Sequence, residues 1–266
     1  MTMEEFAPAT DELLYERRGS VAILTFNRPG ARNALTWAMY RGLMEVCEQV
    51  DADERVRVLV LRGAGEKAFV AGTDISQFRA FSTAEDALDY ERTGAECVAR
   101  LENVRTPTIA MLRGFCAGAG AALATACDLR IAAPDAKFGV PIARTLGNTL
   151  STENFARLVN LIGASKTKEI LYTGRFINTE EGRAIGLFNE VVEAERLEAR
   201  ALELAELIAA HAPLTIRATK AAVNRIVEQG SNVNTDDLIL MVYLSEDFKE
   251  GVRSFLDKRP PEWKGR

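Results

Sequence analysis

The N-terminal half of the chain alternates between short runs of β-branched residues and longer stretches with helical periodicity. The runs are VAILTF (21–26), VRVLVLRG (56–63), TPTIAMLRG (106–114) and DLRIAAP (128–134), and amphipathic segments such as 84–103 lie between them. Strand, helix and strand at this spacing predict crossover connections, because parallel strands cannot be joined by a tight turn. The sequence therefore predicts an α/β fold with a mostly parallel sheet.

After LFNEVV (187–192) the pattern changes to helices alone. The stretch from Glu195 to Ala210 is followed by three further amphipathic segments that end at Lys258, with no Pro/Ser-rich linker before them. We predict an α/β core over residues 1–195 and a helical C-terminal region over residues 196–266. These helices pack either on their own core or on another subunit.

The composition narrows the classes of function. The chain has 266 residues, of which 47% are hydrophobic, and a net charge of -5, so it can bury a continuous core but offers no basic surface to nucleic acid. It has no apolar leader and no run long enough to span a bilayer, and its four cysteines are widely spaced, which predicts a cytoplasmic protein without membrane association. The single histidine, His211, disfavours histidine-based triads and metal sites, so we expect no metal.

Two glycine-containing loops follow predicted strands. They are EKAFVAGTDISQF (66–78) and GFCAGAGAALATACD (114–128), and the second has no charged side chain before Asp128. Ligands of open parallel sheets bind where loops leave the carboxyl ends of strands, and two converging backbone N–H groups there form an oxyanion hole. The alternative is that the small residues at 116–126 only allow close helix packing. A dinucleotide fingerprint is not indicated, because Leu123 stands where its third small residue belongs.

Five segments, taken in order and spacing, resemble the enoyl-CoA hydratase/isomerase (crotonase) family. They are NRPGARNAL (27–35), AFVAGTDI (68–75), GFCAGAGAALATACDLRIAAPDAKFGVP (114–141), LYTGRFINTEEGRAIGLFNEVV (171–192) and SFLDKRPPEWKGR (254–266). The resemblance implies a crotonase-like spiral of ββα units whose C-terminal helices build a homotrimer or homohexamer. It also implies an acyl-CoA substrate and no separate cofactor, since coenzyme A is part of the substrate.

The resemblance assigns roles to particular positions. The thioester carbonyl would accept hydrogen bonds from the backbone N–H groups of Thr73 and Ala119. Lys258 resembles a C-terminal lysine that reaches the nucleotide phosphates, although solvated surface charge explains Lys258 and Arg32 equally well. The full set of positions expected to contact coenzyme A or the substrate is Arg28, Ala31, Arg32, Ala71, Asp74, Ile75, Gly118 and Lys258.

The chain departs from the family at its proton carriers. The two glutamates by which hydratases of the family activate water match Ala122 and Ile142 here, and neither can carry a proton. The segment 143–158 bears some similarity to a loop of the 4-chlorobenzoyl-CoA dehalogenases, but Thr149 takes the place of their nucleophilic aspartate. Two-glutamate hydration and dehalogenation are therefore both disfavoured.

Glu153 is the one carboxylate of the polar segment 143–154, and we consider two roles for it. It is either a helix-start residue favoured by the helix dipole or a relocated general base. Acids of segment 84–103, Glu91 among them, are too numerous and evenly spread to single out. We predict an enzyme that stabilises a thioester enolate, with isomerase, decarboxylase or C–C lyase chemistry favoured. The alternatives are a hydratase that uses Glu153 and a catalytically silent CoA-binding oligomer.

Overall fold

The computed structural model describes residues 6–80, 82–229 and 233–266. The strands are β1 (Leu13–Arg18), β2 (Val21–Phe26), β3 (Val58–Gly63), β4 (Ala68–Val70), β5 (Thr108–Leu112), β6 (Phe115–Ala117), β7 (Leu129–Ala132), β8 (Lys137–Gly139) and β9 (Glu190–Val191). The helices are α1 (Trp37–Ala52), α2 (Ala84–Glu102), α3 (Ala119–Ala126), α4 (Ile142–Thr145), α5 (Thr152–Thr173), α6 (Thr179–Ala184), α7 (Leu197–Ala209), α8 (Pro213–Gln229), α9 (Asp236–Tyr243) and α10 (Glu246–Asp257).

The strands form two sheets. Six strands make the larger sheet in the order β1-β2-β3-β5-β7-β9, and β4, β6 and β8 make a smaller, parallel one. Only the β1–β2 pair of the larger sheet is antiparallel among the described strands. Successive pairs β3–β4, β5–β6 and β7–β8 each place one strand in the larger sheet and the next in the smaller, followed by a helix. The chain is thus a spiral of ββα units, as expected.

Both faces of the larger sheet are buried. Alternate residues of β2 face opposite sides: Leu24 packs in the main core with α1 and α2, whereas Ile23 packs in a second cluster with α7. In that second cluster, Leu197, Ala201 and Ala205 supply the face of α7. The predicted boundary at residue 195 therefore falls just before a helix that packs on the sheet.

Local sequence explains where the main helices begin. Thr36 accepts a hydrogen bond from the N–H of Met39 at the start of α1, and Thr83 and Asp86 form a reciprocal capping box at the start of α2. The helix predicted at 84–103 is confirmed by α2, and the four C-terminal segments are confirmed by α7 to α10, with Lys258 capping α10.

The last two helices leave apolar side chains in solvent. Phe255 is 84% exposed, and Leu244 and Leu256 are exposed to a similar degree. Several large apolar side chains exposed on one pair of helices are typical of a surface that binds a partner.

Candidate active site

A cavity of about 220 Å³ opens between the two glycine-containing loops, α2 and the segment that follows Pro141. Its wall includes the predicted positions Ala71, Thr73, Ile75, Gly118 and Ala119. The loops meet because β4 and β6 are parallel neighbours, which brings their carboxyl ends to one edge of the small sheet. The structure thus brings residues of both loops together around one cavity.

The first loop is held by backbone hydrogen bonds to Leu35. The N–H of Leu35 donates to the carbonyl of Gly72 (2.9 Å), and the N–H of Asp74 donates to the carbonyl of Leu35 (2.9 Å). This pairing skips Thr73, whose N–H has no hydrogen-bond acceptor within residues 6–80, 82–229 and 233–266. The N–H of Thr73 is therefore open to a ligand.

The second loop delivers its N–H from the start of α3. Gly118 has φ 54° and ψ -117°, a conformation that is strained for any residue with a side chain. Its N–H donates to the carbonyl of Gly139 (3.0 Å). The first intrahelical bond runs from the N–H of Ala122 to the carbonyl of Gly118 (3.1 Å). The N–H of Ala119 precedes that bond and has no acceptor in the described part of the chain. The positive end of the helix dipole adds to its attraction for negative charge.

Small residues let the loops pack closely. A methyl group built on Gly118 would come within 3.6 Å of the Gly72 Cα, and one on Gly120 would lie 2.0 Å from the carbonyl oxygen of Val70. The close-packing interpretation of the small-residue run is supported at Gly120, which allows α3 to approach β4, and that approach also determines where the backbone of Ala119 lies.

The hydroxyl of Thr73 sits between two tyrosines. Its Oγ1 lies 2.7 Å from Oη of Tyr40 and 3.1 Å from Oη of Tyr90. Burial raises the pKa of both phenols, that of Tyr40 well above its ordinary value, so both remain protonated. The three hydroxyls tie the first loop to α1 and α2 and hold the Thr73 backbone in place.

The two positions of the family's glutamates face the cavity with apolar side chains. Ala122 and Ile142 both line it, as does Thr149. None of the three side chains has a group that ionises near neutral pH, so none supplies a general acid or base. The departure noted in the sequence therefore concerns residues that face the cavity.

Glu91 lines the same cavity, although the sequence did not single it out. It is half-buried on α2, and desolvation raises the pKa of its carboxyl. Its neighbours on the cavity wall are Gly94, Ala95 and Val98, at helical spacings of three, four and seven residues. That row of small and apolar residues was the available sequence signal.

Arg28 and Asp74 are engaged with each other. Arg28 Nη2 donates to Asp74 Oδ2 (3.0 Å), its Nη1 donates to the carbonyl of Ala34 (2.6 Å), and its Nε pairs with Glu12 (3.0 Å). Hydrogen bonds from Ser76 first and Arg28 second lower the pKa of Asp74, which stays ionised. These two residues brace the early loop against the first glycine loop.

Like Arg28 and Asp74, the remaining predicted residues lie outside the cavity. Ala31 and Arg32 are exposed, and the Arg32 guanidinium stands 5.3 Å from the ring centroid of Phe115. Lys258 is exposed at the end of α10. Glu153 is exposed in the first turn of α5, where hydrogen bonds from its own N–H and from Ser151 lower its pKa. The structure does not bring Glu153 to the cavity, and its environment is that of a helix-start residue.

No cluster of three or more metal-ligating side chains is found within the described residues. In the same part of the chain, no helix combines the length and the apolar character that crossing a membrane requires. All four cysteines are free and buried.

Known proteins match this chain along nearly its full length. The enoyl-CoA hydratase/isomerase family matches residues 16–266. A short-chain-enoyl-CoA hydratase of Clostridium acetobutylicum is 34% identical, with 95% of this chain and 97% of that protein covered. A probable enoyl-CoA hydratase of Rhizobium meliloti is 37% identical, with 96% of this chain and 99% of that protein covered.

Solved structures agree with the fold. The crystal structure of an enoyl-CoA hydratase/carnithine racemase from Magnetospirillum magneticum superposes with a TM-score of 0.90 at 34% identity, covering 97% of each chain. The predicted crotonase fold is therefore confirmed. The chain belongs to the enoyl-CoA hydratase/isomerase family and is an enzyme that acts on coenzyme A thioesters.

Proposed function

We propose that the protein binds an acyl- or enoyl-CoA with its thioester carbonyl between the N–H groups of Thr73 and Ala119, which stabilise an enolate. The observation that carries this proposal is that two residues from two loops, Thr73 and Ala119, line one cavity and each has an N–H with no acceptor among the described residues. Each such donor is worth about 2.7–4 kcal/mol in the transition state when the site excludes water. Both donors are fixed in advance by the contact between α3 and β4.

The proposed reaction class is isomerisation, decarboxylation or C–C cleavage. Hydration by the two-glutamate route needs a base for the attacking water and an acid for the α-carbon, and Ala122 and Ile142 supply neither. The three favoured reactions need the enolate site and at most one proton carrier. The hydratase names of the relatives support the CoA thioester as substrate.

The rest of the substrate is proposed to follow the two loops. Ala71, Ile75 and Gly118 are the proposed contacts of the pantetheine arm, because all three line the cavity. Arg32 and Lys258 carry exposed positive charge and are the candidates for the nucleotide phosphates. Coenzyme A is part of the substrate in this proposal, and no further cofactor enters it.

We also propose that the protein works as a homotrimer or homohexamer. The exposed apolar side chains of α9 and α10, with Phe255 84% exposed, support this assembly. Light scattering on the purified protein tests it, and a monomer at micromolar concentration would refute it.

Replacing Ala119 with proline tests the proposed oxyanion site. Proline removes the N–H, yet it is tolerated at the first position of a helix. Residues before proline prefer an extended backbone. Gly118 has the mirror-image conformation, at φ 54° and ψ -117°, which is open to glycine because it has no Cβ, so a proline at position 119 is compatible with it. We expect a folded variant that has lost at least about 10²-fold in turnover of an acyl-CoA. A folded variant with unchanged turnover contradicts the proposal.

Hydration of crotonyl-CoA tests the proposed reaction class. We expect the unsubstituted protein to be at least about 10²-fold slower than a two-glutamate relative, the scale of one lost proton carrier. Writing both carboxylates back, as Ala122→Glu with Ile142→Glu, should raise hydratase activity. Rapid hydration by the unsubstituted protein would show that another group activates water.

A further inference from the structure

Glu91 is the one carboxylate among the described residues that line the active-site cavity. The next residues of α2 that line the cavity are Gly94 and Ala95, whose small side chains leave space beside Glu91. A methyl group built on Gly94 would meet no atom within 4 Å, which shows that the space in front of this row is open. The Glu91 side chain therefore borders open volume rather than packed core.

The carboxylate of Glu91 has no salt-bridge partner in the described part of the chain. Other acids of α2 do: Glu85 and Asp89 both pair with Arg92 on the exposed side of the helix. Among the residues that the structure describes, those with titratable side chains that share the cavity wall with Glu91 are Tyr40 from α1 and Tyr90 from α2, and no lysine or arginine lines it. Glu91 is thus a carboxylate in partly desolvated, uncharged surroundings.

We propose that Glu91 is the catalytic acid–base of this enzyme, removing a proton from the α-carbon of a bound acyl thioester and returning it to substrate carbon. This rests on the enolate site proposed for Thr73 and Ala119. In the forward step the α C–H bond breaks, its electron pair enters the enolate, and the proton passes to Glu91. In an isomerisation the same proton forms a new C–H bond at the γ-carbon, so the substrate keeps every atom.

The alternatives around the cavity serve this step less well. Ala122, Ile142 and Thr149 cannot hold the proton, and Glu153 lies outside. Tyr40 is held protonated by burial and is occupied with Thr73. Glu91 is the remaining carboxylate on the wall, and desolvation raises its pKa above the ordinary glutamate value, which makes it a stronger base than an exposed carboxylate.

The test measures proton exchange directly, so the physiological substrate need not be known. Butyryl-CoA is incubated with the protein in D₂O, and deuterium entering the α-carbon is followed by NMR. Conversion of vinylacetyl-CoA to crotonyl-CoA, followed by ultraviolet absorbance, tests the α-to-γ transfer. Butyryl-CoA binding is measured separately by thermal shift.

Glu91→Gln keeps the shape and removes the base. We expect it to bind butyryl-CoA normally and to exchange the α-proton at least about 10²-fold more slowly. Glu96→Gln is the matched control, because Glu96 is exposed on the same helix and lies outside the cavity, and its exchange should be unchanged. The exchange rate of the unsubstituted protein should also fall as acid protonates Glu91, and that dependence should vanish in Glu91→Gln.

A second variant separates chemistry from structure. Glu91→Ala leaves room for a small carboxylate, so added acetate should restore part of the exchange, which a purely structural role for Glu91 does not predict. The proposal is wrong if Glu91→Gln exchanges the α-proton as fast as Glu96→Gln does. It is also wrong if the unsubstituted protein binds butyryl-CoA without exchanging its α-proton. Should Ala119→Pro lose exchange while Glu91→Gln keeps it, the enolate site stands and Glu91 alone is wrong. If the protein binds no acyl-CoA, both the proposed enolate site and the proposed role of Glu91 are wrong.

Discussion

Replacing Gly120 with alanine adds one methyl group at the point where α3 meets β4. That methyl would lie 2.0 Å from the carbonyl oxygen of Val70 and 2.8 Å from its carbonyl carbon, whereas real contacts of this kind essentially never fall below 3.0 Å. Because the obstructing atoms belong to the backbone, no side-chain rotation relieves the clash. The helix and the strand must separate by about 1 Å, the difference between 2.0 and 3.0 Å.

This separation acts on the proposed oxyanion site from both sides. Val70 ends β4 and leads within three residues to Thr73, while Gly120 directly follows Ala119. A shift of about 1 Å between catalytic groups costs roughly 10²-fold in rate. Overpacking of a close-packed core also costs about 1–3 kcal/mol in free energy of unfolding, which lowers Tm by about 2–4 °C per kcal/mol in a domain near this size.

The assay pairs thermal unfolding with turnover or α-proton exchange of an acyl-CoA. Gly94→Ala is the helical control for stability, because its methyl group enters open space and should add up to about 1 kcal/mol by helix propensity. We expect Gly120→Ala to remain folded, with a lowered Tm and an exchange rate reduced by about two orders of magnitude. If Gly120→Ala shows unchanged Tm and unchanged rate, the close approach of α3 to β4 does not position the donors.

Three further predictions concern other parts of the chain. Gly94→Leu should fill the cavity beside α2 and shorten the longest acyl chain that the enzyme turns over, as a panel of acyl-CoAs of increasing length will show. Arg175 and Lys166 lower the pKa of Glu181 to about 2, so the ion pair stabilises the fold above the ordinary glutamate pKa and loses its effect as pH falls toward 2. Arg175→Met should therefore reduce the denaturant midpoint at pH 7, and the difference from the unsubstituted protein should shrink in acid. Burial raises the pKa of the Cys47 thiol to about 12, and the other three cysteines are also buried, so a thiol reagent should label the native protein slowly and all four sites after denaturation.

Strands with runs of buried β-branched residues could be predicted from sequence, whereas β1, although six residues long, and the three-residue strands β4 and β6 were not predicted. β2 and β3 each contain six residues rich in valine, isoleucine and leucine, and both were predicted close to their observed bounds. The strands of the smaller sheet contain three residues each, too few for a periodic pattern, and their pairing is set by neighbours distant in sequence. The spiral of two sheets was therefore expected only through resemblance to the family.

Some residues of the candidate active site could likewise be predicted from sequence, and others could not. Thr73 and Ala119 follow glycine-containing motifs whose order and spacing are visible in the chain, and the structure brings both to one cavity. Glu91 was not predicted because α2 carries acids on several faces, and which face meets the cavity depends on packing against α1 and α3. Glu153 stood out as the one acid in its segment, yet the start of α5 turns it to solvent.

The placement of the two proposed donors on the backbone separates two kinds of evolutionary change. Every residue except proline carries an N–H, so substitutions at positions 73 and 119 alter the cavity surface without deleting a donor. Proton carriers, in contrast, are side chains. A single replacement removes the proposed carrier at position 91 or adds one at position 122 or 142. A lineage with this scaffold can therefore change its reaction while keeping its means of holding a thioester, and a designer seeking new chemistry can vary those three positions and leave the glycines of both loops untouched.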